Sequence, residues 1–194
     1  MIPAVAVINK VNDSFAWGLA LYGVGGMGVD YRDDAAMGGA GAPNDNLLLM
    51  RMSIPLAYTV SGFSAAIAPV IEYGSLGMTS GTTTDIAMGF EAGLAYEISG
   101  ISLGLDYKSA VTHDFKNTFN SNLLTATPQS KLDTPSVLGL GVSYSMDEHT
   151  IALDYKMIGN SSAQGFEDFG WEDQTVLAIG YEYATPSWAA RVGY

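Results

Sequence analysis

The sequence predicts an all-β protein, an antiparallel up-and-down barrel that crosses a membrane with its strands. Three observations predict it. Apolar and small or polar residues alternate with a period of two in segment after segment, short turns alternate with long polar connections, and aromatic residues flank the turns. No segment shows the periodicity of a helix of normal length. No run of about 18 apolar residues offers a transmembrane helix either.

The strands follow in order. Phe15, Trp17, Leu19 and Leu21 oppose Ala16, Gly18, Ala20 and Tyr22. Met50, Met52, Ile54, Leu56 and Tyr58 oppose Arg51, Ser53, Pro55 and Ala57. Ile86, Met88, Phe90, Leu94 and Tyr96 oppose Ala87, Gly89, Glu91, Ala95 and Glu97. Strict alternation returns in "ISLGLDYK" (101–108) and "HTIALDYK" (149–156), whose shared "LDYK" hints at a repeated unit. Leu138, Leu140, Val142 and Tyr144, then Leu177, Ile179, Tyr181 and Tyr183, and finally Trp188, Ala190, Val192 and Tyr194 complete about ten strands.

Tight turns are expected at Asn12-Asp13, Ser61-Gly62, Ser99-Gly100, Asp147-Glu148 and Thr185-Pro186. Long connections are expected near 28–46, 75–84, 112–133 and 158–173, all rich in Gly, Asn, Asp, Ser and Thr. Short turns on one side and long loops on the other is the arrangement of an outer-membrane barrel. Tyr58, Tyr96, Tyr144 and Tyr183 precede tight turns, and Phe15, Phe63 and Trp188 follow them, which fits an interfacial girdle.

Composition agrees. Of the 194 residues, 48% are hydrophobic and only 14% charged, against roughly 25% in soluble domains. The polar face of the strands is mostly Gly, Ala and Ser, with sparse Arg51, Glu72, Glu91, Asp106, Lys108, Asp154, Lys156, Glu182 and Arg191. That suits a crowded lumen better than a water-facing sheet. A net charge of −12 argues against a nucleic-acid partner, whose phosphates call for clustered Lys and Arg. The absence of cysteine removes disulfides, thiolate metal sites and a thiol nucleophile.

Four segments resemble FadL-type outer-membrane transporters of fatty acids and hydrocarbons. They are "IPAVAVINKVNDSFAWGLALYGVGGMGVDYRDD" (2–34), "LMRMSIPLAYTVSGFSAAIAPVIEYGSL", "LGLDYKSAVTHDFKN" and "GFEDFGWEDQTVLAIGYEYATPSWAARVGY", in that order. The resemblance implies a fourteen-stranded barrel plugged by an N-terminal hatch. By position this chain would be a single barrel domain spanning 1–194, running from about the second strand to about the eleventh. It is therefore expected to be a fragment lacking the hatch, the first strand and the last strands.

The implied function is passive uptake of long-chain fatty acids or hydrocarbons across a Gram-negative outer membrane, with lateral release through a kinked strand. The kink falls on Val24, Gly25, Gly26 and Met27. From the residues alone, glycines in a strand pattern mark a bulge, a bend or a close approach. With no following helix, Gly23, Gly25, Gly26 and Gly28 do not form a phosphate loop.

No enzyme is expected, and no cofactor or metal. "YGSLG" (73–77) lacks the spacing of a nucleophile elbow, and His113 and His149 are expected at opposite ends of the barrel. Acidic loop residues Asp30, Asp33, Asp34, Glu167, Asp168, Glu172 and Asp173 read as solvated. Their alternative use is Ca²⁺ binding or bridging to lipopolysaccharide. Phe115, Phe119, Leu123 and Leu124 in the 112–133 connection either form an extracellular groove that captures an apolar ligand or pack on neighbouring loops. Asp106, Lys108, Asp154 and Lys156 read as an ion-pair ladder on neighbouring inner faces. Alternatively Lys108, Lys156 or Arg191 holds a ligand carboxylate. Expected partners are hydrophobic small molecules, membrane lipid and lipopolysaccharide, with the protein a monomer. The competing readings are a structural or adhesive barrel acting through acidic loops, and a general porin.

Overall fold

The structure is a computed structural model that describes residues 4–33, 36, 44–79, 81–116 and 131–194. Its strands are β1 (Ala4–Lys10), β2 (Phe15–Asp30), β3 (Asn44–Ser53), β4 (Leu56–Val60), β5 (Phe63–Met78), β6 (Gly81–Ile98) and β7 (Ile101–Lys108). They continue with β8 (Val111–Asp114), β9 (Lys131–Thr134), β10 (Ser136–Met146), β11 (His149–Gly159), β12 (Gln174–Ala184) and β13 (Ala189–Gly193). Among the described residues no helix is long and apolar enough to cross a membrane.

One antiparallel sheet follows the order β1-β2-β3-β5-β6-β7-β10-β11-β12-β13, with β4 pairing β2 and β5 beside this path and β8 and β9 outside the sheet. The strand β4 continues β3 after a break at Ile54-Pro55, where proline has no N–H for a ladder. The neighbours bridge the break: Gly18 N–H donates to the Pro55 carbonyl at 2.9 Å, and Ile54 N–H donates to the Pro69 carbonyl at 3.1 Å. This up-and-down sheet is the wall of a barrel-type fold, with β1 and β13 at the two ends of the described path.

The period-two pattern sorts the faces as expected. Leu56, Tyr58, Ile67, Ile86, Met88, Leu94, Leu103, Leu140, Ile151, Leu177 and Ile179 are exposed on the outer face. Arg51, Ser53, Ala68, Val70 and Glu72 are buried on the inner one. On β6 the outward apolar run from Ile86 to Tyr96 ends at Thr84 and Thr82. Its eleven residues span ten rises of about 3.3 Å each, which at the usual tilt near 45° give a band ~23 Å tall, the height of a membrane barrel's apolar belt.

The tight turns at Ser61-Gly62 and Ser99-Gly100 place both residues at positive φ, the conformation that suits a twisted two-residue hairpin. The glycine carbonyl of each turn also accepts an amide of the next hairpin: Glu97 N–H donates to Gly62 and Ser145 N–H donates to Gly100, both at 2.8 Å. Asn12 closes the first turn by accepting the Ser14 and Phe15 amides on its side-chain oxygen at 2.9 and 2.8 Å.

Two expected long connections differ. The segment 75–84 is not a loop: β5 and β6 stay paired from Phe63↔Tyr96 to Met78↔Gly81, leaving only Thr79 and Ser80 between them. The Thr82–Thr84 run, read as loop for its polarity, consists of β-branched residues that favour an extended chain. The segment 112–133 contains β8 and β9, which pair only with each other, from Val111↔Thr134 to Asp114↔Lys131. This hairpin lies against the inner face of the wall.

Candidate functional site

The inner face divides into three zones along the strands. Nearest the tight turns, two rows of small residues cross the wall. One row is Ala57, Ala66, Gly93, Asp106, Gly139, Lys156 and Val176, and the other is Ser64, Ala95, Gly104, Gly141, Asp154 and Ala178. They line an open cavity of about 600 Å³. The Asp106 carboxylate lies over Gly139 and the Asp154 carboxylate over Gly141, in space that a Cβ would take. The expected ion-pair ladder is not formed: among the described residues no ion pair joins Asp106, Lys108, Asp154 or Lys156 to one another. The physical reason is register. Gly139 and Gly141 of β10 stand between β7 and β11, so the charged pairs sit two strands apart, about 10 Å.

The second zone is a buried polar cluster. Arg51 on β3 donates to Glu72 on β5 through Nε at 2.8 Å and Nη2 at 2.7 Å, and to Glu91 on β6 through Nη1 at 3.0 Å. Tyr22 and Ser53 donate their hydroxyls to Glu91 at 3.0 and 3.2 Å. The other oxygen of Glu72 serves the hairpin: it accepts the Thr134 hydroxyl and lies 3.1 Å from His113 Nε2. Glu72 and His113 are fully buried. His113 Nδ1 has no hydrogen-bond partner among the described residues, its nearest carboxylate being Asp85 at 3.5 Å.

The third zone is apolar. Leu47, Leu49 and Leu76 on the wall meet Phe115, the residue after β8, with Val24, Met78 and Leu132 around them. Phe115 is fully buried and stacks on His113 with ring centres 5.5 Å apart. Gly74 makes this possible. A Cβ there would stand 2.8 Å from the Phe115 ring and 2.9 Å from His113 Nδ1, so only a bare backbone lets the hairpin lie this close. Gly89 does the same for Val111, whose Cγ2 would be 2.7 Å from an added Cβ.

The sequence-derived site residues fall as follows. Phe115 is fully buried against Leu47, Leu49 and Leu76 of the wall, so it forms no exposed capture groove and packs on the inner face rather than on neighbouring loops. Phe119, Leu123 and Leu124 lie outside the described residues. Lys156 lines the cavity, and half-buried Lys108 stands one row above it, opposite Glu91 in register. Arg191 is not with them. It sits on β13, opposite Glu182 of β12 in register, and forms an ion pair with it.

At the expected kink the β2–β3 ladder slips by one residue between Gly23 and Gly25, leaving Val24 as the extra residue, and resumes from Gly25↔Leu49 to Asp30↔Asn44. The irregularity is therefore a β-bulge, and pairing to β3 continues through Met27. The bulge turns Val24 towards the apolar zone. Sequence reasoning missed the cluster of Arg51, Glu72, Glu91, His113 and Thr134. Its available signal was the alternation of Val111, His113 and Phe115 beside inward glycines on two wall strands.

Wall, cavity and inward hairpin define a β-barrel type of protein whose inner face is filled partly by its own chain. The fold is that of solved toluene transporters. It matches the Pseudomonas putida toluene transporter TodX with a TM-score of 0.69 at 14% identity, over 99% of this chain and 67% of that one. It matches the Ralstonia pickettii toluene transporter TbuX with a TM-score of 0.68 at 16% identity, over 98% of this chain and 67% of that one. In sequence, 171 residues are 28% identical to the long-chain fatty acid transport protein of Salmonella typhi, covering 71% of this chain and 39% of that protein. No family model matches. The chain is thus similar to the FadL-like transporters over part of their barrel, spanning well under half of the fatty acid transport protein and about two thirds of the toluene transporters.

Proposed function

We propose that this protein takes up hydrophobic compounds, fatty acids or hydrocarbons, passively across the outer membrane of a Gram-negative bacterium. The observation that carries the reading is the combination of an apolar outer belt with an inner face holding both an apolar cluster and an open cavity. Proteins of similar fold or sequence are named as transporters of toluene and of long-chain fatty acids, which supports the same substrate class here. Transfer of an apolar ligand out of water is downhill, so neither an energy source nor a covalent step is required.

Within this reading Lys108 and Lys156 are the cations for a ligand carboxylate, because neither is ion-paired among the described residues, whereas Arg191 is taken by Glu182. The bulge at Val24, beside the apolar zone, is the place for sideways release. The test is uptake by cells that lack their own transporter and express the whole protein. Labelled toluene and oleate should enter faster than in cells with empty vector, while a small sugar should not. Sugar entry without hydrocarbon entry would instead identify a porin.

A further inference from the structure

We propose that His149, Tyr181, Tyr183 and Trp188 form a site on the outer face for the head group of a phospholipid with a primary ammonium, phosphatidylethanolamine. The site lies on the lipid side of the wall and is independent of what the inner face carries. His149 opens β11 opposite Tyr183 of β12, and Tyr181 stands opposite Ile151, two residues along the same face. Trp188, just before β13, packs on Tyr183 with ring centres 5.4 Å apart. His149 lies 5.1 Å from the Tyr183 ring and 6.0 Å from the Tyr181 ring. Backbone bonds fix the turns that present these rings: Ala184 N–H donates to the Glu148 carbonyl and Thr185 N–H to the Trp188 carbonyl, both at 2.8 Å.

Depth, donors and charge each match this ligand. Ile151, Leu153 and Ile179 are exposed next to the rings on the same face, so acyl chains lie along them and the head group meets the rings. Tyr181 Oη lies 2.7 Å from His149 Nδ1, and in the tautomer where the hydroxyl donates, the ring proton is on Nε2. That N–H, the Tyr183 hydroxyl and the Trp188 indole N–H have no hydrogen-bond partner among the described residues, leaving three donors for phosphate oxygens. The other ring pairs at this end, Phe15↔Tyr58 and Phe63↔Tyr96, offer one hydroxyl each. The turn beside His149 carries Asp147 and Glu148, neither ion-paired among the described residues. Two unpaired carboxylates disfavour a head group of net negative charge and attract an ammonium, which the faces of Tyr183 and Trp188 favour as well. A head group holding both phosphate and ammonium satisfies the donors and the carboxylates together. A glycerol head satisfies the donors alone, and a trimethylated ammonium has no N–H for the carboxylates.

The test is native mass spectrometry of the whole protein in detergent, titrated with phosphatidylethanolamine, phosphatidylglycerol and phosphatidylcholine of identical acyl chains. Phosphatidylethanolamine should bind at least fivefold more tightly than either of the others, and affinities within twofold of one another would overturn the proposal. His149→Ala/Trp188→Ala should weaken phosphatidylethanolamine binding at least fivefold, whereas Phe63→Leu, at another turn, should stay within twofold of wild type. Unchanged affinity in the double variant would overturn the proposal. A second pair keeps the test decisive if the rings prove necessary for folding. Asp147→Asn/Glu148→Gln changes exposed turn residues, and asparagine tolerates the φ of 52° at position 147. It should bring phosphatidylglycerol to within twofold of phosphatidylethanolamine, and a fivefold preference retained there would overturn the assignment.

Discussion

Removing Arg51 tests the buried cluster most severely. The guanidinium supplies two bonds to Glu72 and one to Glu91, and both Arg51 and Glu72 are almost wholly shielded from solvent. Arg51→Ala leaves Glu72 with only its hairpin partners, while Glu91 is more exposed and can recover water. Breaking a buried pair by deleting one member costs about 3–5 kcal/mol, chiefly through the uncompensated charge. With a urea slope of about 2 kcal/mol per molar, the unfolding midpoint should fall by roughly 1.5–2.5 M. The assay is urea unfolding in vesicles, followed by tryptophan fluorescence, for Arg51→Ala, Glu72→Gln and the double variant. Neutralising Glu72 first should make the arginine deletion about 2 kcal/mol cheaper, a coupling within the range of contacting residues. A loss below ~1 kcal/mol for Arg51→Ala, or additive single effects, would refute the argument.

Other expectations follow from the same geometry. Gly62→Ala should lose more than about 1 kcal/mol, because Gly62 has φ +80° and an added Cβ would lie 2.5 Å from the Glu97 carbonyl oxygen. Gly104→Ala, with nothing within 4 Å of its Cβ, is the neutral control by the same unfolding assay. Replacing Gly25 and Gly26 with Val should slow uptake without unfolding the protein. A Gly25 side chain would press on Leu49, whereas Gly26 has only the Leu47 carbonyl at 3.8 Å. Normal uptake would remove the bulge from the release route. In the 158–173 connection, Asp173 accepts the Ser161 amide and hydroxyl at 3.0 and 2.8 Å, which holds its carboxyl below the ordinary 3.8. A lowered folded value stabilises above the unfolded one and is lost as pH falls through the folded value. The Ser161 amide resonance should therefore titrate with a midpoint below 3.8, and a midpoint at or above it would contradict the bond.

The wall was legible in the sequence because alternation with period two fixes which side chains face lipid, and a one-residue slip would expose the whole set. Thus Ile86, Met88 and Phe90 could be placed outside, and Arg51 and Glu91 inside, before any coordinates. The inward hairpin was not legible. Val111, His113 and Phe115 alternate over too few residues to distinguish a strand from a loop, and their docking depends on Gly74 and Gly89, roughly 20 to 40 positions earlier in the chain. The charge ladder failed for a related reason: Asp106 and Lys156 share a lateral row, but only the pairing order reveals that Gly139 separates them. Glu72 was visible only as a sparse inner charge. Its partners come from β3, β8 and β9, a convergence that no local pattern records.

The measurement that reaches the central claim most directly is mass spectrometry of molecules extracted from the whole protein, purified in detergent after feeding cells with oleate and toluene. Uptake of hydrophobic compounds predicts recovery of fatty acid or hydrocarbon well above the level from an unrelated barrel purified in parallel. Recovery no greater than from that barrel would contradict it.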